Sequence, residues 1–582
     1  MTPTLRAGDL PEAVVASTPV VRLGRALARS AAALLFALPL LLALPLALSQ
    51  ALDISAWRDL LADPQVPRAL GLSLQTALLS TAMALLLTLW LLTLLHGTAL
   101  WHRLTLGLGP MLAVPHAAFA IGLAWLMAPA GWLARLLAPL FGWDSPPPWT
   151  TVNDPQGGAL VLVLVLKEVP FLLWSALALL TRPEVAQTLT REVALARTLG
   201  YTARAWWWRV GWLMWLPRLA WPSLAVLTYG LTVVDLALII GPGSPPTLAV
   251  LTWQHLSDAN AARNAQGAAS ALALSLVLAG CVVLAWLGWR AAQCCWLRRT
   301  TRGDRPTAGV ASGVAGEVAA GTALNAKQRP LRAWAGVGCW VFVYAAVVTS
   351  LLLMSFVGVW RFPARWPDTF SMAHWLQIGS GIATLGLSAG LGTVSAVAAL
   401  ALTVAWLEAA PPAWDQRLTP LVLAPLVLPH LLLMVGLYRG ALALHLDGTL
   451  LGLWWVHLLM VTPYVFTALA PAWRSFDQRL GWAALTLGRS RWAFWWQVKW
   501  PLLAAPLASA LAIGFAVSVA QYLSTQFIGA GRHATLTTEA VTLASGGQRS
   551  MSAAFAFLQA LLPALGFAAA HWAGRRAARS VS

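Results

Sequence analysis

The chain has 582 residues, of which 59% are hydrophobic and 10% charged, with a mean hydropathy of +0.71. A soluble protein of this length needs far more polar surface to cover its cores, so composition points to an all-α integral membrane protein. The net charge of +18 is not that of a nucleic-acid-binding face. Its Lys and Arg gather at the ends of apolar runs, as membrane orientation requires.

The N-terminus carries Arg22, Arg25 and Arg29 ahead of the apolar run Ala31–Leu48. No small-residue cleavage site follows convincingly, and further apolar runs do, so the run reads as a retained first helix rather than a signal peptide. A helix needs about 20 apolar residues to cross the hydrocarbon core. That criterion places six spans in the first half, near 30–52, 70–95, 104–130, 157–180, 217–240 and 268–290. It places six more near 333–358, 378–407, 418–440, 449–471, 503–528 and 551–572. The third and ninth contain Pro110, Pro115, Pro425 and Pro429, which no regular helix interior accommodates well. Between the halves, residues 297–331 are rich in Gly, Ala and Thr and read as a flexible linker. The predicted organisation is therefore a first unit over 1–296, the linker, and a second unit over 332–582.

Cys281, Cys294, Cys295 and Cys339 show no zinc-type spacing and read as small apolar fillers. No cluster of metal-ligating residues and no Ser/His/Asp set stands out, so neither a metal site nor a catalytic residue is assigned. Short loops rich in Lys and Arg resist translocation, which places both termini and the linker in the cytoplasm.

Two stretches then recur. Thr198–Trp212 returns 288 residues later as Thr486–Trp500, with Thr, Leu, Gly, Ala, two Trp, Val and Trp in register. The same offset carries Ile240-Gly-Pro-Gly into Ile528-Gly-Ala-Gly. A single offset held over some fifty residues marks a duplication. Six spans per unit is an even number, so the two units are expected to be parallel, related by an axis along the membrane normal. The second recurrence is Pro115-His116 through Gly122-Leu123 against Pro429-His430 through Gly436-Leu437. Within a span, Pro frees a backbone carbonyl that a neighbouring side chain can satisfy. His116 and His430 either serve those kinks or line a central pathway.

The loops over about 181–216 and 472–502 are long for helical hairpins. Each reads as two short amphipathic helices around a glycine turn, with an aromatic face against the ends of other helices. Two such loops on one face suit docking onto a two-fold partner. Ionisable residues inside the spans are few: Lys167 and Glu168 in the fourth, Asp235 in the fifth. Each costs about 2.5–3.5 kcal/mol at the bilayer centre and must face protein or water. They either form an internal ion pair or line the pathway; Gln521 lies two residues from Leu523, the repeat equivalent of Asp235.

The two loops resemble the "EAA" loops of ABC importer permeases, and the duplicated layout resembles fused permeases of the ferric-iron and thiamine uptake type. The family pattern is Glu-Ala-Ala, three residues, Gly, nine residues, Ile, one residue, Leu-Pro. The second loop keeps Ala483, Ala484, Gly488 and Pro501, with Leu487 before the glycine and Trp482 in place of Glu. The first keeps Ala196, Leu199 and Gly200, with Ala194 at the Glu position and Leu213 at the Pro position. It is also longer: Pro170 to Gly200 is 30 residues, Pro463 to Gly488 only 25. The resemblance implies that each loop docks a cytoplasmic ABC ATPase, two copies in all, with ATP and magnesium held there and no cofactor on this chain. It also implies a separate extracytoplasmic substrate-binding protein, surrounding lipid, a bacterial-type inner membrane and no nucleic acid. Consistent with that division, the chain has no Gly-x-x-x-x-Gly-Lys-Ser/Thr loop. The rival is an ATP-independent secondary transporter of six-plus-six helices. One of the major facilitator type carries a charged motif between spans two and three, where this chain has only His96–Arg103.

Overall fold

The computed structural model describes residues 30, 37, 39–95, 99–180, 182–198, 206–207, 211–301, 337–380, 382–477 and 479–581. Most of the expected linker, 302–331, lies outside them. The first half contributes α1 (Pro39–Ala51) and α2 (Ile54–Ala62), which meet at 64°, then α3 (Val66–Leu95), α4 (Ala99–Ala113), α5 (His116–Met127), α6 (Trp132–Phe141), α7 (Gly158–Leu180) and α8 (Pro183–Thr198). It continues through α9 (Trp212–Arg218), α10 (Ala220–Thr232), α11 (Asp235–Ile240), α12 (Leu248–Leu256) and the long α13 (Ala261–Thr301). The second half has α14 (Val337–Met354), α15 (Ala373–Ser380), α16 (Ile382–Ala409), α17 (Pro412–Val427), α18 (His430–Ala443), α19 (Leu450–Arg474) and α20 (Arg479–Thr486). Then follow α21 (Arg491–Phe494), a π-helical turn (Trp495–Lys499), α22 (Trp500–Leu502), α23 (Ala504–Val519), α24 (Leu523–Gly529), α25 (Leu536–Ser545) and α26 (Arg549–Val581).

Among the described residues, eight helical stretches are long and apolar enough to cross a membrane, α5 and α6 together counting as one, or eleven if each bent pair is one span. Several expected spans are not single helices. The third, 104–130, breaks between α4 and α5 ahead of Pro115, and the ninth, 418–440, bends by 101° between α17 and α18 ahead of Pro429. Pro lacks the N–H for the helical ladder and disfavours helical backbone at the preceding residue, so both breaks fall where the sequence demands them. The fifth, 217–240, is divided into α9, α10 and α11, and the eleventh into α23 and α24. The eleventh is still counted, through the bent pair Trp492–Leu502 and Ala504–Val519, so among the described residues it is the divided fifth that leaves the count at eleven and not twelve. Large apolar side chains such as Leu79, Leu86, Leu284, Trp286 and Phe342 stay exposed on the long helices, the surface a lipid solvent requires.

The repeated sequence offsets reappear in element positions. At 288 residues, α11, α12 and α13 start opposite α24, α25 and α26. The first N–H of α12, at Leu248, donates to Ser73 Oγ of α3 at 2.9 Å; that of α25, at Leu536, donates to Ser388 Oγ of α16 at 2.8 Å. The glycines of the second motif have one job. A Cβ on Gly122 of α5 would lie 2.8 Å from Val347 O of α14, and one on Gly436 of α18 only 1.9 Å from Ala43 O of α1. Each half's first helix thus crosses the other half's broken span at a glycine, because no side chain fits there.

Candidate functional site

The centre of the molecule is built around two prolines. Pro115 offers no N–H to Met111 O one turn earlier, and the chain leaves helix at Val114. Lys167 Nζ, reaching from α7, donates to Met111 O at 3.2 Å and Val114 O at 2.7 Å. The rings of Phe119 and Tyr344 flank the ammonium at 5.7 and 5.6 Å, and the side chain is almost wholly buried. Pro170 likewise deprives Leu166 O of its donor, and Tyr344 Oη of α14 supplies one at 3.1 Å. Lys167 therefore closes a broken helix, and no salt bridge within 4 Å joins it to Glu168.

Glu168, on the adjacent position of α7, is buried with its Oε1 3.3 Å from His116 Nε2 at the first position of α5. The His116 ring lies 4.9 Å from that of Tyr229 on α10. Asp235, half-buried, opens α11 after the break at Val233–Val234 and lies within electrostatic range of His116, Tyr229 and Tyr522. Glu168 is within range of Tyr229, Tyr344 and Tyr464. The acids come from the first half, and three of the four tyrosines come from the second. His116, Lys167, Glu168 and Asp235 are thus gathered into one cluster at the junction of the halves.

No hydrogen bond or ion pair among the described residues joins His430 or Gln521 to that cluster. His430 starts α18 half-buried. Gln521 sits in the α23–α24 break, where its Oε1 accepts from Ser524 Oγ at 2.8 Å. Sequence reasoning missed His457 on α19: fully buried, its ring nitrogens lie 2.8 Å from Ser518 Oγ and 3.0 Å from Thr525 Oγ1, stapling the same break. It also missed the tyrosines. The chain has only 6, and four of them lie within electrostatic range of Glu168 or Asp235.

The loop-bearing end is organised differently. In α8, Ala196 is buried and Ala194 exposed; Leu199 and Gly200 lie outside the described residues. In the second loop, Ala484 packs inward while Ala483, Leu487 and Trp482 face out, Leu487 at 79% exposure. Gly488 takes φ +72°, and the N–H of Arg489 returns to Ala484 O at 3.0 Å, closing α20 with a left-handed cap. Pro501 occupies the first turn of α22, directly after the π turn. At the other end of the bundle a cavity of about 440 Å³ is lined by Trp125, Arg135, Trp360, His374 and Arg549, among others. Arg135 donates there to the carbonyls of Ala130, Trp360, Arg361 and Ala364.

With this geometry in place, the relevant likeness is to the inner membrane ABC transporter permease protein YnjC of Escherichia coli (strain K12). The two are 36% identical over 528 residues, covering 90% of this chain and 91% of that protein. The chain belongs to the ABC transporter permeases. No family model matches it, and no solved structure does. Among the described residues of the permease, no group of three or more His, Cys, Asp or Glu could hold a metal ion.

Proposed function

We propose that the chain is the translocation subunit of an ATP-driven importer in a bacterial-type inner membrane, built from two parallel repeats. The observation that carries this reading is the likeness to a permease over nine-tenths of the chain. ATP and magnesium would be held by a separate cytoplasmic ATPase, one copy on each of the loops 181–216 and 472–502, and a binding protein would deliver the solute from outside. Two features support the repeats: the paired Leu–Ser hydrogen bonds and the reciprocal glycine crossings. The exposed glycine-closed turn after α20 supports docking at the second loop.

The solute path runs between the halves, past His116, Glu168 and Asp235, with His430 and Gln521 on the pseudo-symmetric side. Two carboxyl groups facing tyrosine rings in a low-dielectric setting favour a cationic or amine-bearing solute; a thiamine-like molecule or ferric iron both fall in that class. ATP binding would draw the two loops together and move the broken spans between outward- and inward-facing states. The broken spans ahead of Pro115 and Pro429 are built for such a hinge.

The test is co-purification of the permease with its neighbouring-gene ATPase, followed by ATP hydrolysis and uptake in proteoliposomes with the loaded binding protein. ATP hydrolysis stimulated by the loaded protein and uptake dependent on ATP are expected. Uptake driven by an ion gradient with no ATPase present would assign the chain to the secondary-transporter class instead.

A further inference from the structure

We infer that Lys499 and Glu408, together with Arg474 and Asp415, form a brace that fixes both ends of the second loop to the ends of α16 and α17, so that the loop moves them as one body. This rests on the reading of that loop as an ATPase-docking element.

The loop leaves α19 at Arg474 and re-enters the bundle at Lys499. At its start, Arg474 holds Asp415 of α17 bidentately, Nε to Oδ2 at 2.6 Å and Nη2 to Oδ1 at 2.8 Å. The same guanidinium donates to Leu407 O and Ala410 O at the end of α16, each at 3.0 Å. Trp406 Nε1 adds a bond to Asp415 Oδ1 at 3.1 Å. Bidentate geometry fixes orientation as well as distance. At the loop's end, the two termini of the π turn grip one carboxylate. Trp495 Nε1 donates to Glu408 Oε1 at 3.0 Å and Lys499 Nζ to Oε2 at 2.5 Å.

Lys499 is a buried cation in an aromatic cage, its ammonium 4.2 Å from the Trp473 ring and 5.4 Å from that of Trp495. Rings that exclude water strengthen the pair, and losing one partner leaves the other charge uncompensated. A fully exposed ion pair would be worth little; here the ammonium is buried while the carboxylate is 38% exposed, so the pair is only partly screened by solvent. The π turn itself, with Trp500 N–H reaching back to Trp495 O, is a costly local geometry that tends to mark functional sites.

The mechanical consequence follows from Asp415. It lies in the first turn of α17, and α17 ends at the 101° bend ahead of Pro429. A displacement of the loop therefore reaches that bend through Arg474 and Asp415 without passing through flexible chain. At the position 288 residues earlier stands Gly211, where a Cβ would lie 2.7 Å from the Trp206 ring. The first loop is seated there by tryptophan packing, and a lysine has no room.

Lys499 and Glu408 are positioning residues, so the test must separate coupling from docking and folding. The complete complex is reconstituted with its ATPase and binding protein, using Lys499→Gln, Lys499→Arg, Glu408→Gln and the exchanged pair Lys499→Glu with Glu408→Lys. ATPase binding, ATP hydrolysis and solute moved per ATP are read together. We expect Lys499→Gln and Glu408→Gln to keep the ATPase bound yet lower solute moved per ATP by about tenfold, since each removes one half of the pair that holds the buried Lys499 end of the loop to α16. Lys499→Arg should restore most of it. If Lys499→Gln fails to accumulate, Glu408→Gln decides alone, since Glu408 is the more exposed partner. Unchanged transport per ATP in Glu408→Gln, with the ATPase bound, would overturn the brace. Failure of the unaltered chain to bind any ATPase would instead overturn the docking reading, and the brace with it.

Discussion

Gly488 offers the cleanest perturbation of the docking surface. Its φ of +72° lies in the left-handed region, and a Cβ built there would meet nothing within 4 Å. Substitution by alanine therefore acts through backbone strain and leaves the membrane core untouched. Holding a non-glycine residue in that region costs about 1–2 kcal/mol, so the equilibrium constant between capped and open turn falls about 5–30-fold. If the ATPase docks only on the capped turn, its apparent affinity falls with the capped fraction, by up to the same factor. Gly488→Ala should show that loss in a titration of ATPase into reconstituted permease. Gly488→Asn should retain most of the affinity, because asparagine tolerates left-handed backbone better than alanine. Gly488→Leu should lose more than alanine, since its side chain projects into the docking surface. Equal affinity for Ala, Asn and the parent chain would refute the role of the turn. Equal losses for Ala and Asn would refute the backbone explanation and leave surface shape as the cause.

Three further outcomes are expected. Asp235→Asn should lower uptake more than it lowers the amount of folded permease; matched losses would assign Asp235 to packing. Arg135→Ala removes four hydrogen bonds to carbonyls and should cost about 3 kcal/mol or more, read as a lower melting temperature in detergent. Ser312→Cys, in a background without the four native cysteines, should react with an impermeant thiol reagent only after the cells are opened; labelling of intact cells would reverse the orientation.

The sequence made the membrane class, the breaks and the glycine turn of the second loop legible because each rests on a local property. Apolar run length sets the spans, proline sets the bends at 114–115 and 428–429, and Gly488 sets the cap. The central cluster was only half legible. Lys167 and Glu168 stand out as charges in an apolar run, but adjacent residues on a helix point in different directions. Their partners lie on other helices: Met111 and Val114 for the lysine, His116 for the glutamate. Nothing local to 167–168 encodes that choice; it follows from where the Pro115 break leaves its carbonyls. His457 was hidden for the same reason, since its partners lie 61 and 68 residues away. The Glu408–Lys499 pair, 91 residues apart, was likewise invisible until α16 and the loop were placed side by side.

In the proposed two-repeat arrangement, the polar features are shared out unequally. The first half supplies the ionisable groups of the central cluster, His116, Lys167, Glu168 and Asp235. The second supplies the ion pairs of the loop-bearing end, Glu408–Lys499 and Asp415–Arg474. A duplicated scaffold permits this, because the backbone relations that hold it together need only small or uncharged residues. Ser73 and Ser388 cap equivalent helices, and Gly122 and Gly436 admit equivalent crossings. Once those four positions are kept, the remaining ones are free to diverge. A solute without two-fold symmetry is better recognised by charges on one side of the axis than by a matched pair, which would bind it in two competing orientations. In the proposed complex, two ATPase copies would demand two docking surfaces but not two equally stiff connections. One braced loop is enough to move a bend, provided the other half yields around it. The permease is therefore expected to be asymmetric in both tasks, with recognition weighted to the first half and force transmission to the second.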